Sequence, residues 1–413
     1  MSPRHLGGSA QDFEQLMDEH RKEVAQRAEA AQQTVLRLMT SRALGIPGTL
    51  LGKVQHPETR SRWEQTKNWH YWWQAHLLDA LVDAGFRQQA AGNQAAAQQR
   101  LDQGRALLRG IQLRNLGGFV NSFYDDMAWL TLACERLNRL SLALTGSGEE
   151  LAQEAASSLY RQLEAGLAPG GGIFWSKDRD FVNVPATAPA ALAFARAGRF
   201  ELAAGLLNWL AEQLLDDETG LYLDGIKLGP DGQQRLERAL YTYNQGPVLG
   251  AYLALLEAGR EDLLTLDAVE HVSQLVVATD RHFGRDFALP GGESLRVLAT
   301  QGTGDGGLFT GILVRYLAQV AQHPSLPEAT CQLARELVTN TAELFWEGRR
   351  EFDPDLPLNE PGIDPSEIRG QAVVLFSPDV ERHISDLLKP GQPVELSSQV
   401  QAWMSLEAAA RIF

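Results

Sequence analysis

The chain has 413 residues, 44% of them hydrophobic, and a formal net charge of −15. The apolar content suffices for a large core, and the acidic balance argues against nucleic-acid phosphate and anionic lipid as partners. Two cysteines, Cys134 and Cys331, lie inside apolar helical patterns and read as buried thiols, not as a disulfide framework or metal site. No stretch is apolar for long enough to span a membrane, and Met1 to Arg27 holds no run that could serve as a signal-peptide core. The expectation is a cytoplasmic protein.

Helical periodicity dominates from the N-terminus onward. After a polar lead-in over residues 1–10, Gln11 to Leu44 reads as one helix, with Val24, Ala28, Ala31, Val35 and Leu38 on its apolar face. Ile46-Pro47-Gly48 breaks it. Lys67 to His76 then opens a helix crowded with aromatic and polar groups, which Gly85 is expected to end. Helices follow over Gln89–Gln112, Asp125–Thr145, Glu149–Ala165, Pro185–Ala197 and Phe200–Leu215. Tyr241-Thr242-Tyr243-Asn244-Gln245-Gly246 opens another, running to Ala258. Later helices cover Leu264–Phe283, Leu308–Gln322, Pro327–Phe345 and Ser397–Phe413.

The helices come in pairs. Many pairs are preceded by a loop rich in Gly, Trp, Tyr, Asp and Asn, and the second helix of each pair is the more plainly amphipathic. Strand-like alternation is sparse and there is no βαβ rhythm. The fold expected is all-α, a closed ring of helical hairpins forming a single domain over 1–413. In such a ring the inner helices start on one face. That places Trp72, Asp125, Asp126, Trp175, Asn183, Tyr243, Gln245 and Asp305 near one cleft.

The chain is organised around Asn121 to Trp129, where Tyr124 precedes the pair Asp125-Asp126 and Gly117-Gly118 lies upstream. The pair sits at a loop-to-helix junction, where orphan N–H groups and the helix dipole favour negative charge. An aspartate there is commonly an N-cap, but capping needs only one. Two neighbouring carboxylates that share a proton split their titrations and supply one acid and one base. Capping and catalysis both remain open from this stretch alone.

Aromatics interleaved with Asn, Gln and Asp at a cleft mouth suit carbohydrate. Rings stack on sugar C–H faces, while amides and carboxylates bind hydroxyls. Trp129, Trp209 and Trp346 read as packing residues; Trp72, Trp73 and Trp175 read equally as packing or as ligand contacts. Gly302 to Gly307 is glycine-rich but lacks the Lys-Ser/Thr of a phosphate loop. His70 and His76 are spaced wrongly for zinc ligands on one helical face and read as hydrogen-bonded side chains. Serine and cysteine nucleophile signatures are missing. No metal and no cofactor are expected.

At this point the motifs resemble those of glycoside hydrolase family 76, the endo-α-1,6-mannanases. Tyr124-Asp125-Asp126-Met127-Ala128-Trp129 resembles the family's Asp-Asp motif, and Gly171-Gly172-Ile173-Phe174-Trp175 its Gly-Gly-Ile-Trp-Trp turn. Tyr243-Asn244-Gln245-Gly246 resembles its Tyr-Asn-Gln-Gly segment. Asp305 with Leu308 to Ile312 and Arg315 resembles its Phe-Lys-Gly-Ile-x-x-Arg region, and Tyr71-Trp72-Trp73-Gln74 also has a counterpart. The resemblance implies an (α/α)6 barrel and retaining hydrolysis of α-1,6-mannosides. It implies Asp125 as nucleophile and Asp126 as general acid/base. The substrate-binding set expected is Trp72, Tyr124, Trp175, Asn183, Tyr243, Asn244, Gln245 and Asp305. The chain departs from the family at Phe174, Val182 and Thr310, which stand in place of Trp, Lys and Lys and are expected to touch substrate. Two other readings are a sugar epimerase on a similar ring, with His271, His282 or His383 catalytic, and a carbohydrate-binding barrel without turnover.

Overall fold

The computed structural model describes residues 10–61, 64, 67–289, 291–352, 373–389 and 391–413. The lead-in expected over 1–10 therefore lies, except for Ala10, outside the described residues. Twelve long helices fill these segments: α1 Ala10–Leu38, α2 Tyr71–Ala90, α3 Gln94–Arg114, α4 Tyr124–Thr145, α5 Glu150–Ala165, α6 Val184–Arg196, α7 Phe200–Gln213, α8 Thr242–Glu257, α9 Ala268–Phe283, α10 Gly306–Val320, α11 Glu328–Glu347 and α12 Leu396–Ile412. A single helical turn, Ile384–Leu387, precedes the last.

The even-numbered helices form a closed inner ring. Each packs on the next, α2 on α4, α4 on α6, α6 on α8, α8 on α10 and α10 on α12, and α12 closes back onto α2. Each also packs on one odd-numbered outer partner, α1 pairing with α12. The architecture is an (α/α)6 barrel. Sequence distinguishes the two layers. Every residue of α12 from Leu396 to Ala409 is buried, as is every residue of α6 from Val184 to Ala195; a helix covered on all sides needs no polar stripe. The outer α5 buries only Ala152, Ala155, Leu159 and Leu163, spaced three and four apart on one face.

Gly85 does not end α2, which continues to Ala90. A Cβ at this glycine would lie 2.5 Å from Leu140 Cδ2, so the residue serves the close approach of α2 and α4. The first helix stops at Leu38, short of the expected Leu44, and a short antiparallel pairing of Thr40–Ser41 with Leu51–Gly52 follows. Two larger hairpins also interrupt the helical rhythm. Gly225–Leu228 pairs with Gln234–Glu237 and also with Phe181–Asn183, giving a three-stranded antiparallel sheet. Gly284–Ala288 pairs with Ser294–Leu298.

The ring is filled by charge as well as by apolar side chains. Arg315 of α10 reaches Asp79 at 2.7 Å and Asp83 at 2.8 Å, both on α2, and Arg136 of α4 bonds to the same two carboxylates. These groups are largely withdrawn from water, so each charge depends on its partners. Cys134 and Cys331 are free and buried. Among the described residues no helix is long and apolar enough to cross a membrane.

Candidate active site

The inner helices begin at one end of the barrel, and the first turns of α2, α4, α8 and α10 meet there. The Trp72 and Trp73 indoles of α2 both donate to Asp305 Oδ1 at 2.9 Å, immediately before α10. Trp72 lies 6.3 Å from Tyr243 of α8 and 6.2 Å from Phe309 of α10. Tyr243 stacks on Phe309, with ring centres 3.9 Å apart. This aromatic floor lies beside the aspartate pair: the charge of Asp125 acts on the Tyr243 phenol, and that of Asp305 acts on Asp125 and Asp126.

Neither aspartate is the N-cap of α4. That position is Phe123, which has an extended backbone and no side-chain cap. Asp125 Oδ1 accepts from the Asp126 backbone N–H at 2.8 Å, and Asp125 Oδ2 accepts from Trp175 Nε1 at 3.0 Å. Asp126 Oδ2 accepts from Asn121 Nδ2 at 2.6 Å. Asp125 thus receives two hydrogen bonds that favour its charged form, whereas Asp126 receives one. Both side chains keep a partly open face yet are surrounded by protein. Burial pushes Asp125 up to about 7 against the pull of these donors. Burial and the adjacent Asp125 charge push Asp126 well above the usual carboxylate range. Of the two, Asp126 is the one that holds a proton more tightly.

The Gly171-Gly172 turn places Trp175. Both glycines have positive φ, +98° and +72°, and a Cβ on either would run into the Trp209 ring. The chain then passes alongside the start of α4: the Tyr124 N–H donates to the Trp175 carbonyl at 2.7 Å and the Lys177 N–H to the Ser122 carbonyl at 2.9 Å. Trp175 is 37% exposed, with Phe123 at 5.0 Å between ring centres. Together they form an open aromatic edge on the cleft.

Of the residues expected to bind substrate, Trp72, Trp175, Tyr243 and Asp305 gather around the pair. The others hold the frame. The Tyr124 ring packs against Gly166, where a Cβ would approach it to 2.7 Å. Asn183 is the N-cap of α6, its side chain accepting from the Ala186 N–H at 3.1 Å. Gln245 is fully buried and bonds to both backbone groups of Tyr222 and to the Tyr241 carbonyl. Asn244 is buried too, and donates to Asp224 at 3.1 Å. The residues at which the chain departs from the family are withdrawn from solvent. Phe174, Val182 and Thr310 are all buried, and the Thr310 hydroxyl donates to the Ala299 carbonyl at 2.8 Å. Trp73 is a packing residue at 1% exposure.

Asp224 was not singled out by its sequence. It follows Gly220 and Tyr222 in a loop with the same glycine, aromatic, acid order as the loop before Asp125, and that repetition was its signal. Burial pushes it up to about 6, and its charge acts on Tyr243 and Tyr241. Asn121 likewise lay in the central stretch without an assigned role. His76 differs from expectation: neither ring nitrogen has a partner. It is wedged between Trp72 and Trp129, at 5.4 and 4.9 Å, and burial with the nearby Arg315 charge lowers it to about 3. The histidines of the epimerase reading lie elsewhere. His271 and His282 are on the outer helix α9, with His271 at 2.7 Å from the Tyr222 hydroxyl, and His383 caps the Ile384–Leu387 turn.

The profile of Glycosyl hydrolase family 76 matches residues 23–350. The chain belongs to this family. It is a glycoside hydrolase. Among solved structures it is similar to the GH76A α-1,6-mannanase of Salegentibacter sp. HEL1_6, with a TM-score of 0.71, 27% identity, and coverage of 94% of this chain and 100% of that one. The same figures hold for an inactive variant of that enzyme, with two aspartates replaced by asparagine, in complex with α-1,6-mannotriose. The family 76 mannosidase of Bacteroides thetaiotaomicron VPI-5482 shares the fold, with a TM-score of 0.67, 15% identity, and coverage of 94% and 98%. No curated protein matches the sequence.

Proposed function

We propose that this glycoside hydrolase cleaves α-1,6-mannosidic linkages with retention, using Asp125 as nucleophile and Asp126 as general acid/base. The observation that carries the assignment of roles is the unequal hydrogen bonding of the pair. Two donors favour Asp125 as the carboxylate of the pair, while Asp126 faces that charge with one donor and is the better proton holder. In the first step an Asp125 oxygen attacks the anomeric carbon as the glycosidic bond breaks, and Asp126 gives its proton to the leaving oxygen. In the second step Asp126 takes a proton from water, whose oxygen attacks the same carbon and releases Asp125. Trp72, Tyr243 and Trp175 offer ring faces to the sugar, and Asp224 and Asp305 offer acceptors to its hydroxyls. The substrate assignment rests on the similarity to the mannanase complex with α-1,6-mannotriose.

The test is chemical rescue with azide. Asp125→Asn should abolish turnover, since an amide cannot displace the leaving group, and azide should restore it with an inverted product. Asp126→Asn should retain activity on mannosides with good leaving groups, and azide should accelerate it with a retained product. Near wild-type hydrolysis of α-1,6-mannosides by both variants would remove the pair from catalysis.

A further inference from the structure

The end of the barrel opposite the aspartates contains a cavity of about 1120 Å³. Its walls come mainly from the C-terminal halves of inner helices, together with Arg21 and Ala25 of α1 and Phe200 of α7. It is separate from the cleft, and nothing in the proposed hydrolysis uses it. The protein as a whole carries −15, yet the lining holds six arginines against three acidic side chains.

Pairing accounts for part of that charge. Arg87 is bound to Glu407 at 2.8 Å and Glu29 at 2.9 Å, and Arg136 to Asp79 and Asp83. Arg21 reaches Asp18 at 3.0 Å. Three others, Arg139 of α4, Arg196 of α6 and Arg411 of α12, form no salt bridge among the described residues. Glu257 is the remaining acidic side chain on the wall, and Arg21 also donates to the Phe413 oxygen. The charge of Arg196 opposes those of Arg139 and Arg411, and Arg136 opposes both as well. Glu135 offsets Arg139 and Arg196 in part, as Asp83 and Glu257 offset Arg411, and a bound anion would relieve the repulsion that is left among the arginines.

We propose that this cavity binds an organic phosphate. A guanidinium presents a planar fork that matches phosphate oxygens, and Arg139, Arg196 and Arg411 surround one space from three different inner helices. The volume far exceeds a bare phosphate and lies in the range of small-molecule sites. Phe86, Phe200, Leu253 and Ala254 form an apolar wall in the same cavity, suited to a ring or hydrocarbon portion. A competing account is that Arg196 and Arg411 only complement the negative carbonyl ends of α6 and α12, where cations are favoured. That account does not cover Arg139, which lies six residues before the end of α4.

Calorimetric titration of the whole protein with phenyl phosphate and with inorganic phosphate, at constant ionic strength, tests the assignment. Both should bind, phenyl phosphate about tenfold or more tightly than the inorganic ion. The double variant Arg139→Gln, Arg196→Gln and the single variant Arg411→Gln should each weaken both by about tenfold or more. Without ligand, Arg196→Gln should raise Tm, because it removes repulsion; a role confined to the helix end would lower it. Absence of binding, or affinity unchanged in the variants, would overturn the site. Equal affinity for the two probes would overturn its organic character. A lowered Tm of unliganded Arg196→Gln would return the arginines to the helix-end account.

Discussion

Asp224 accepts a hydrogen bond from Asn244 and is pushed up by burial to about 6 from an ordinary 3.8. The folded protein therefore binds a proton there more tightly than the unfolded chain does. Its contribution to stability is complete below about pH 4 and is lost as pH rises through 6. Asp224→Asn should consequently stabilise the protein by about 1–2 kcal/mol at pH 8, after allowance for partial exposure, and give no gain at pH 4. Thermal unfolding at the two pH values checks this; an equal shift at both would show that the carboxylate is not held neutral by burial. The same residue marks how far a motif can be read. Sequence order placed Trp72, Tyr243 and Asp305 beside the aspartates because each begins an inner helix. It could not say where a side chain at such a position points. Tyr124, Asn183 and Gln245 begin inner helices too, but the ring of Tyr124 is needed against Gly166 and the amides cap or tie the frame.

At the scale of elements, the helical pairs were legible because each outer helix buries a single stripe. The junctions were less so. Gly85 looked like a terminator, since glycine is costly within a helix; its reason lies on a different helix, at Leu140, and is invisible locally. The Gly225–Glu237 hairpin had a local signal in Pro230-Asp231-Gly232, a strong turn sequence, overshadowed by the helical rhythm on both sides. The turn before Trp175 is the element on which the site depends most. Gly172→Ala would put a Cβ 2.6 Å from the Trp209 ring and 2.7 Å from Val182 at a φ of +72°. It should cost about 2–4 kcal/mol and reduce kcat along with stability, because Trp175 moves with the turn. Gly198→Ala, with a φ of +76° and open space around it, should cost about 1 kcal/mol and leave kcat unchanged. Urea unfolding and initial rates on both variants separate the two effects; equal losses of activity would mean that the turn does not position the site.

Across the whole molecule, closure of the ring brings α2, α4 and α10 around one set of opposed charges. Removing one partner strands a charge without water. Arg315→Met should destabilise by about 3–5 kcal/mol, since Asp79 and Asp83 would then share Arg136 alone. Urea unfolding near neutral pH measures it, and a loss below about 1 kcal/mol would show that the network is solvated. This network was not legible in the sequence: Asp79, Asp83, Arg136 and Arg315 are distant in the chain and meet only when the ring closes.

The central claim is that two adjacent aspartates at the start of α4 carry out a double displacement. Proton NMR of α-1,6-mannotriose hydrolysis, recorded before the new reducing end mutarotates, tests it most directly. Two successive inversions should deliver the α-anomer first. A first-formed β-anomer, or no shortening of the oligosaccharide, would contradict the account.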